Sequence, residues 1–206
     1  MLPDTRSVRE KIRAAAVQLF AEMGYHAAPL RNIAELAGIQ AASIYYHYPS
    51  KQALLVEIMD THMRQLNSSL EQIIAQPTGV AERLYEAIAS HIRLHTTYKA
   101  EFFIIDTEIR ALEAPYREQI LALRDQYEHT LQRLLQEGVD SGVLRPTDVK
   151  VTSYALIAMC TEVAAWFRSP GRLTVQQVID IYGQLITQGL LLEQVHKQTR
   201  GESART

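Results

Sequence analysis

Ile33-Ala34-Glu35-Leu36-Ala37-Gly38-Ile39, followed after Gln40-Ala41-Ala42 by Ser43-Ile44-Tyr45-Tyr46-His47-Tyr48-Pro49-Ser50-Lys51, is the stretch that decides the fold. Between Leu30 and His47 the spacing predicts two short helices joined at a glycine, a helix-turn-helix. Ala34 is small enough for the second helix to cross close above it, and Gly38 accepts the backbone angles of the turn. Ile33, Ile39 and Ile44 pin the pair onto a preceding helix. The second helix then presents Gln40, Ala41, Ser43, Tyr46 and His47, side chains suited to hydrogen bonds and methyl contacts in a DNA major groove. Tyr45 and Lys51 fall where a backbone phosphate is within reach.

Upstream, Ser7 and Glu10 form a capping box, Ile12, Ala16, Leu19, Phe20 and Met23 make one apolar face, and Gly24 suits a C-cap. Downstream, segments free of proline and glycine carry apolar residues at spacings of three and four, so the chain reads as all-α. A long helix opens at Ser50 and runs toward Ala75. Others follow over about Thr78–Tyr98, Glu101–Leu112, Pro115–Gly142, Asp148–Arg168, and from a capping box at Thr174 and Gln177. The expected division is a helix-turn-helix domain over residues 1–52, a helical domain over 53–197, and a disordered polar tail over 198–206.

With 206 residues, 47% of them apolar, the chain can bury a sizeable core. One cysteine forms no internal disulfide, and no apolar run reaches the roughly 20 residues of a membrane span. Without a signal peptide either, the expectation is a soluble, cytoplasmic protein with no membrane partner. The net charge of −2 argues against holding nucleic acid by bulk charge alone. Residues 1–52 nevertheless hold six basic against four acidic residues, a local excess of +2 that leaves −4 for the remainder.

The middle helices suggest a pocket. Leu84, Ile88, His91 and His95 share one stripe; Phe102, Ile105 and Ile109 make another that includes Asp106; Tyr116, Ile120, Leu123 and Tyr127 supply a third wall. A mostly apolar cavity with a few polar groups is the usual small-molecule site. A plainer alternative is that His91 and His95 satisfy each other or water and Asp106 pairs with Arg110. His91 and His95 also have the spacing of metal ligands, which keeps open a small metal-assisted helical enzyme, although no nucleophile–base pair supports one. Cys160 reads as a small core residue.

The last two helices carry broad apolar stripes, with Gly183 and Gly189 where another helix approaches closely or where the chain packs on itself. So few basic residues per subunit require two copies on half-sites about 34–36 Å apart.

The stretch Gly24-Tyr25, Ile33–Ile39, Ser43–Lys51 and Leu54-Leu55 resembles the DNA-binding domain of TetR/AcrR-family transcriptional regulators. The resemblance implies no enzymatic activity and no cofactor. It implies a helical ligand-binding and dimerisation domain, a homodimer formed through the last two long helices, and a repressor released from a pseudo-palindromic operator by a small effector. Ala28-Pro29 and Gln40 stand where members commonly have threonine or serine; two hydroxyl contacts are absent, leaving later backbone donors and Arg31 for the phosphate. Glu108–Leu112, Pro115-Tyr116 and Trp166–Leu173 look like the regulatory domains of members controlling fatty-acid or steroid breakdown, some of which respond to CoA thioesters. On that resemblance the effector site comprises His91, His95, Phe102, Asp106, Tyr127, Trp166 and Arg168, with Arg168 or Arg172 meeting phosphates. The alternative for both arginines is capping a helix end.

Overall fold

A computed structural model describes residues 7–145 and 148–191. Among these residues the elements are α1 (Val8–Met23), α2 (Leu30–Ala37), α3 (Ile44–His47), α4 (Lys51–Ile74), α5 (Val80–Thr97), α6 (Lys99–Glu108), α7 (Ala114–Asp140), α8 (Val149–Trp166) and α9 (Val175–Leu190). Single 3-10 turns lead into α3 and out of α6. The chain is all-α; its one β-type feature among the described residues is an isolated bridge between Leu144 and Leu191. The expected tail over 198–206 and the end of the 53–197 segment lie outside the described residues.

The helices start where the sequence supplies a cap. The Ser7–Glu10 and Thr174–Gln177 boxes are both formed, and the Asp148 carboxylate accepts from the Val151 amide. Gly24 and Gly38, at φ 82° and 71°, end α1 and α2 in a region that L side chains rarely adopt.

The chain divides into two compact units, residues 1–65 with 98–124, and 66–97 with 125–206. In the first, Ile12, Ala16 and Phe20 of α1 are buried with Ile33, Ala34, Ile44 and Tyr48, and with Leu54, Leu55 and Ile58 of α4. Residues 98–124 join this unit because α6 is tied to it by hydrogen bonds as well as packing. Glu108 accepts from the Tyr25 amide at 3.2 Å, and the Gln52 side-chain amide donates to the Ala111 carbonyl at 2.6 Å.

In the second unit α5 packs against α8 and α9. The buried Arg83 donates to the carbonyls of Ile74 and Thr78 and pairs with Glu137, so the end of α4, the following turn and α7 share one guanidinium. Gly183 serves this intrachain packing: a Cβ there would lie 2.4 Å from the Tyr85 ring, which Asp180 anchors through the phenol at 2.8 Å. Gly183→Ala gains roughly 1 kcal/mol of helix propensity and loses about 1–3 kcal/mol to overpacking. A lower melting temperature than wild type is therefore expected by calorimetry; an unchanged or higher one contradicts the close packing.

Candidate functional site

The candidate DNA-reading surface is the outer side of the 40–47 segment. Its inner side is anchored by Ile44, fully buried, and α2 beneath it by Ile33 and Ala34. The Ile39 amide donates to the Ala34 carbonyl at 3.0 Å, closing the turn at Gly38. With the inner side fixed, Gln40, Ala41 and Ser43 are exposed, Tyr45 is 61% and Tyr46 89% exposed, and His47 is half-buried against the Tyr46 ring. Two large aromatic rings left this open on a rigid scaffold are costly to solvate and suit a groove that offers thymine methyls to the rings and phosphate oxygens to the phenols.

Arg31 is exposed in the first turn of α2, and Pro29 caps that helix without a side-chain hydrogen bond. Lys51 is turned inward: its ammonium lies 4.4 Å from the centre of the Tyr25 ring and donates to the His26 carbonyl at 3.4 Å. Burial pulls its pKa below the usual lysine value, only partly offset by Glu108. Lys51 thus holds the turn after α1.

A network that sequence reasoning missed sits beneath the reading surface. The Tyr48 phenol donates to Glu57 at 2.7 Å, Arg9 pairs with the same carboxylate, and the Arg9 guanidinium lies 4.7 Å above the Tyr48 ring. Burial alone raises the Glu57 pKa, but the hydrogen bonds from Arg9 and Tyr48 outweigh it and the group stays below its ordinary value. No local pattern announces partners 39 and 48 residues apart; only the tyrosine in Tyr48-Pro49-Ser50 is visible, as packing.

In the second unit the structure brings His91, His95 and Tyr127 together. The two imidazoles stack with centroids 4.0 Å apart. His91 Nδ1 lies 2.8 Å from the Tyr127 hydroxyl and its Nε2 3.0 Å from the Thr161 hydroxyl, while His95 Nδ1 donates to the His91 carbonyl at 3.0 Å. A neutral imidazole has one donor and one acceptor nitrogen, so one of the two hydroxyls donates to His91. Burial, and secondarily the neighbouring His95, hold His91 well below the ordinary imidazole pKa. Beside it is a half-open cavity of about 10 Å³, lined by Ile88, Leu131, Leu156 and Cys160 among others. Burial pushes the Cys160 thiol up to about 12, so it is an inert core group.

The family described as bacterial regulatory proteins, tetR family, matches residues 12–58, and the tetracyclin repressor-like C-terminal domain matches residues 77–190. The chain belongs to the TetR family. It is similar to the HTH-type transcriptional repressor KstR2 of Mycolicibacterium smegmatis, 28% identical over 96% of this chain and 99% of that repressor. Among solved structures, the ketosteroid transcriptional regulator KstR2 of Mycobacterium tuberculosis superposes with a TM-score of 0.85 at 26% identity, over 92% of this chain and 97% of that one. AibR, solved with isovaleryl coenzyme A and operator DNA, gives 0.79 at 26% identity, over 87% of this chain and 97% of that one. This TetR-family chain is a DNA-binding transcriptional regulator, and the enzyme alternative is not supported.

Two sequence-derived placements change in the regulator's structure. Asp106 leaves the apolar stripe: it is exposed on α6 and pairs with Arg124 of α7, because α6 turns Phe102, Ile104 and Ile105 inward. Phe102 is buried beside the His62 ring, with centroids 6.0 Å apart. Met23, placed on the buried face of α1, is exposed while Ala15 and Val17 are buried. Trp166 is half-exposed near Tyr182, and Arg168 donates to the Ala165 and Phe167 carbonyls at the end of α8, at 2.8 and 2.9 Å.

His62, unremarkable in sequence, is buried between Arg13, 3.4 Å from its Nε2, and Glu101, 3.7 Å away. Burial and then Arg13 push its pKa down to about 4. The unfolded imidazole takes its proton near ~6.5, so between these values the unfolded chain binds more protons. The contribution of His62 to stability is whole above ~6.5 and is lost as pH falls toward 4; His91 acts with the same sign. Urea midpoints are expected to fall across this window, less steeply in His62→Leu. A flat wild-type profile contradicts the assignment.

Proposed function

We propose that this regulator is a homodimeric repressor that leaves a pseudo-palindromic operator when a coenzyme A thioester fills its second unit. Residues 1–52 read DNA and 53–197 hold effector and partner. The observation that carries the reading is the rigid, outward-facing 40–47 segment with Tyr45 and Tyr46 left open. Gln40, Ala41, Ser43 and Tyr46 are assigned to the groove, Arg31, Tyr45 and His47 to phosphates, and Lys51 to both the turn it braces and the nearby backbone.

Dimerisation is supported by a second apolar face on the last helices. Leu156, Cys160 and Val163 of α8 face inward, yet Val151, Tyr154, Ala155 and Ala158 are exposed at spacings of three and four, and Ala165 and Trp166 are exposed two turns further on, beyond the exposed Glu162. On α9, Ile181 and Leu185 are exposed, and nothing lies within 4 Å of a Cβ at Gly189, which leaves that position free for close approach by a partner helix. A subunit exposing such a stripe buries it against a second copy. No described helix is long and apolar enough to cross a membrane, in keeping with work beside DNA in the cytoplasm.

For the effector, AibR was solved with isovaleryl coenzyme A, and the core around His91, His95 and Tyr127 offers this chain an apolar site with few polar groups. Continuous α4 runs from the reading surface into the second unit and transmits the change. A thioester favouring the DNA-incompetent form by about 10–100-fold supplies 1.4–2.8 kcal/mol of coupling, and operator DNA must weaken its binding equally. Calorimetry with and without operator tests this; equal affinities refute the switch.

A further inference from the structure

The reading segment is too short to hold its own direction. It consists of a 3-10 turn over Ala41–Ser43 and the four-residue α3, and a helix that short has almost no internal hydrogen bonds to stiffen it. Ile44, fully buried, fixes its beginning. At its end the Tyr48 amide closes on the Ile44 carbonyl at 2.9 Å, and Pro49 obliges Tyr48 to be extended, at φ −137° and ψ 117°. The His47 carbonyl is then a helix-end acceptor left for a partner outside α3.

That partner is Arg9. One terminal guanidinium nitrogen donates to the His47 carbonyl at 3.4 Å, Nε donates to one Glu57 oxygen at 3.4 Å, and the other terminal nitrogen donates to the second oxygen of that carboxylate. The same guanidinium lies over the Tyr48 ring, whose phenol donates to Glu57. The first turn of α1, the second turn of α4 and the residue that ends α3 thus meet at one carboxylate. Arg13, one turn further along α1, adds its positive charge beside both Tyr48 and Glu57. A cation in the first turn of α1 opposes the helix dipole, so the place of Arg9 is unfavourable for α1 itself and is explained by what it reaches beyond it. Arg9 is exposed and Glu57 half-buried, and an ion pair so placed adds little to stability. Its effect lies in the direction it gives to α3, which carries Tyr45, Tyr46 and His47.

We propose that Arg9 and Glu57 are positioning residues for sequence reading: together they hold the end of α3 at the angle at which its outer side chains meet base edges. They act through the His47 carbonyl and the Tyr48 side chain. The inference rests on the assignment of the 40–47 segment to the groove and adds what aims it. Contacts to base edges depend on angle, whereas attraction to phosphates follows charge and tolerates a tilt. Loosening the clamp therefore costs discrimination between sequences more than affinity for DNA as such. Lysine keeps the charge of Arg9, yet it cannot serve a carboxylate, a carbonyl and a ring from one planar group. In Glu57→Gln the side chain still accepts from the Tyr48 phenol but gives up the ion pair, and each subunit loses one negative charge. Charge alone then tightens binding to every duplex, while loss of the clamp narrows the gap between operator and unrelated DNA.

The test uses the full chain and two fluorescent duplexes, one that wild type enriches from a random-sequence pool and a scrambled version of it. Anisotropy below each variant's melting transition gives the ratio of the two affinities and the salt slope of each. A loss of folded protein weakens both duplexes equally and leaves the ratio untouched, so a merely structural role does not move it. Arg9→Lys and Glu57→Gln should each lower the ratio about tenfold, the scale of one lost base contact, while the scrambled duplex is bound as by wild type or, in Glu57→Gln, more tightly. The double variant should lose about as much as one single variant, because both break the same contact. Wild-type ratios in both single variants overturn the positioning role. So does an unchanged ratio in Arg9→Ala with both salt slopes shallower by about 0.9 per subunit, which makes Arg9 a phosphate contact instead. If Tyr45→Ala with Tyr46→Ala keeps the wild-type ratio, the reading segment itself is misplaced. If that variant loses it while Arg9→Lys and Glu57→Gln keep it, only the clamp falls.

Discussion

Tyr45→Ala combined with Tyr46→Ala is expected to weaken operator binding by about three orders of magnitude with little change in stability. A dimer loses four rings at once, and at about 1 kcal/mol each the loss is roughly 4 kcal/mol, or about a thousandfold. Since the rings are 61% and 89% exposed, the fold keeps its core, and exposed substitutions away from caps and networks stay within about ±0.5 kcal/mol. Fluorescence anisotropy with operator DNA measures the affinity, and thermal melting controls for fold. Wild type should also show a salt slope of about −0.9 per phosphate neutralised. Unchanged affinity in the double variant would remove the 40–47 segment from the DNA interface.

Ile181→Asp with Leu185→Asp should convert dimer to monomer and, with it, abolish operator binding at nanomolar protein. Both side chains are more than half exposed in the single chain, so each subunit folds nearly as before. Two apposed copies of the stripe would instead bury four uncompensated carboxylates, a penalty of several kcal/mol. One half-site bound alone forgoes the effective concentration that tethering to the second supplies, commonly a factor of about 10²–10⁴. Analytical ultracentrifugation reads the mass and anisotropy the binding. A dimeric variant would place the interface elsewhere.

The helices were legible because their signals are local. Caps at Ser7, Asp148 and Thr174, and Gly24 and Gly38 at the ends of α1 and α2, act within a turn or two of the residues they govern. The recognition segment was legible for the same reason: Ile33, Ala34 and Ile44 declare an inner side, and Gln40, Ala41, Ser43, Tyr45 and Tyr46, off that side, face out. The histidine cluster of the second unit was legible only in part. His91 and His95 share a face by spacing, but Thr161, which completes the cluster, lies 70 residues away.

Pattern alone misjudged helices with two apolar faces. Gly183 served an intrachain contact with Tyr85 and Gly189 did not, although both read alike in the chain. Asp106 moved to solvent because a ten-residue helix with weak amphipathy takes its rotation from its neighbours.

The order of residues by itself determined an all-helical chain, its helix ends and an outward reading segment near the amino end, since these follow from contacts within a few residues. Tertiary structure alone decided that residues 98–124 pack with the DNA-reading helices, that Lys51 braces a turn, and that His62 is buried neutral. Those outcomes depend on which distant side chains compete for the same carbonyl, ring or carboxylate, and that competition is settled only when the helices meet.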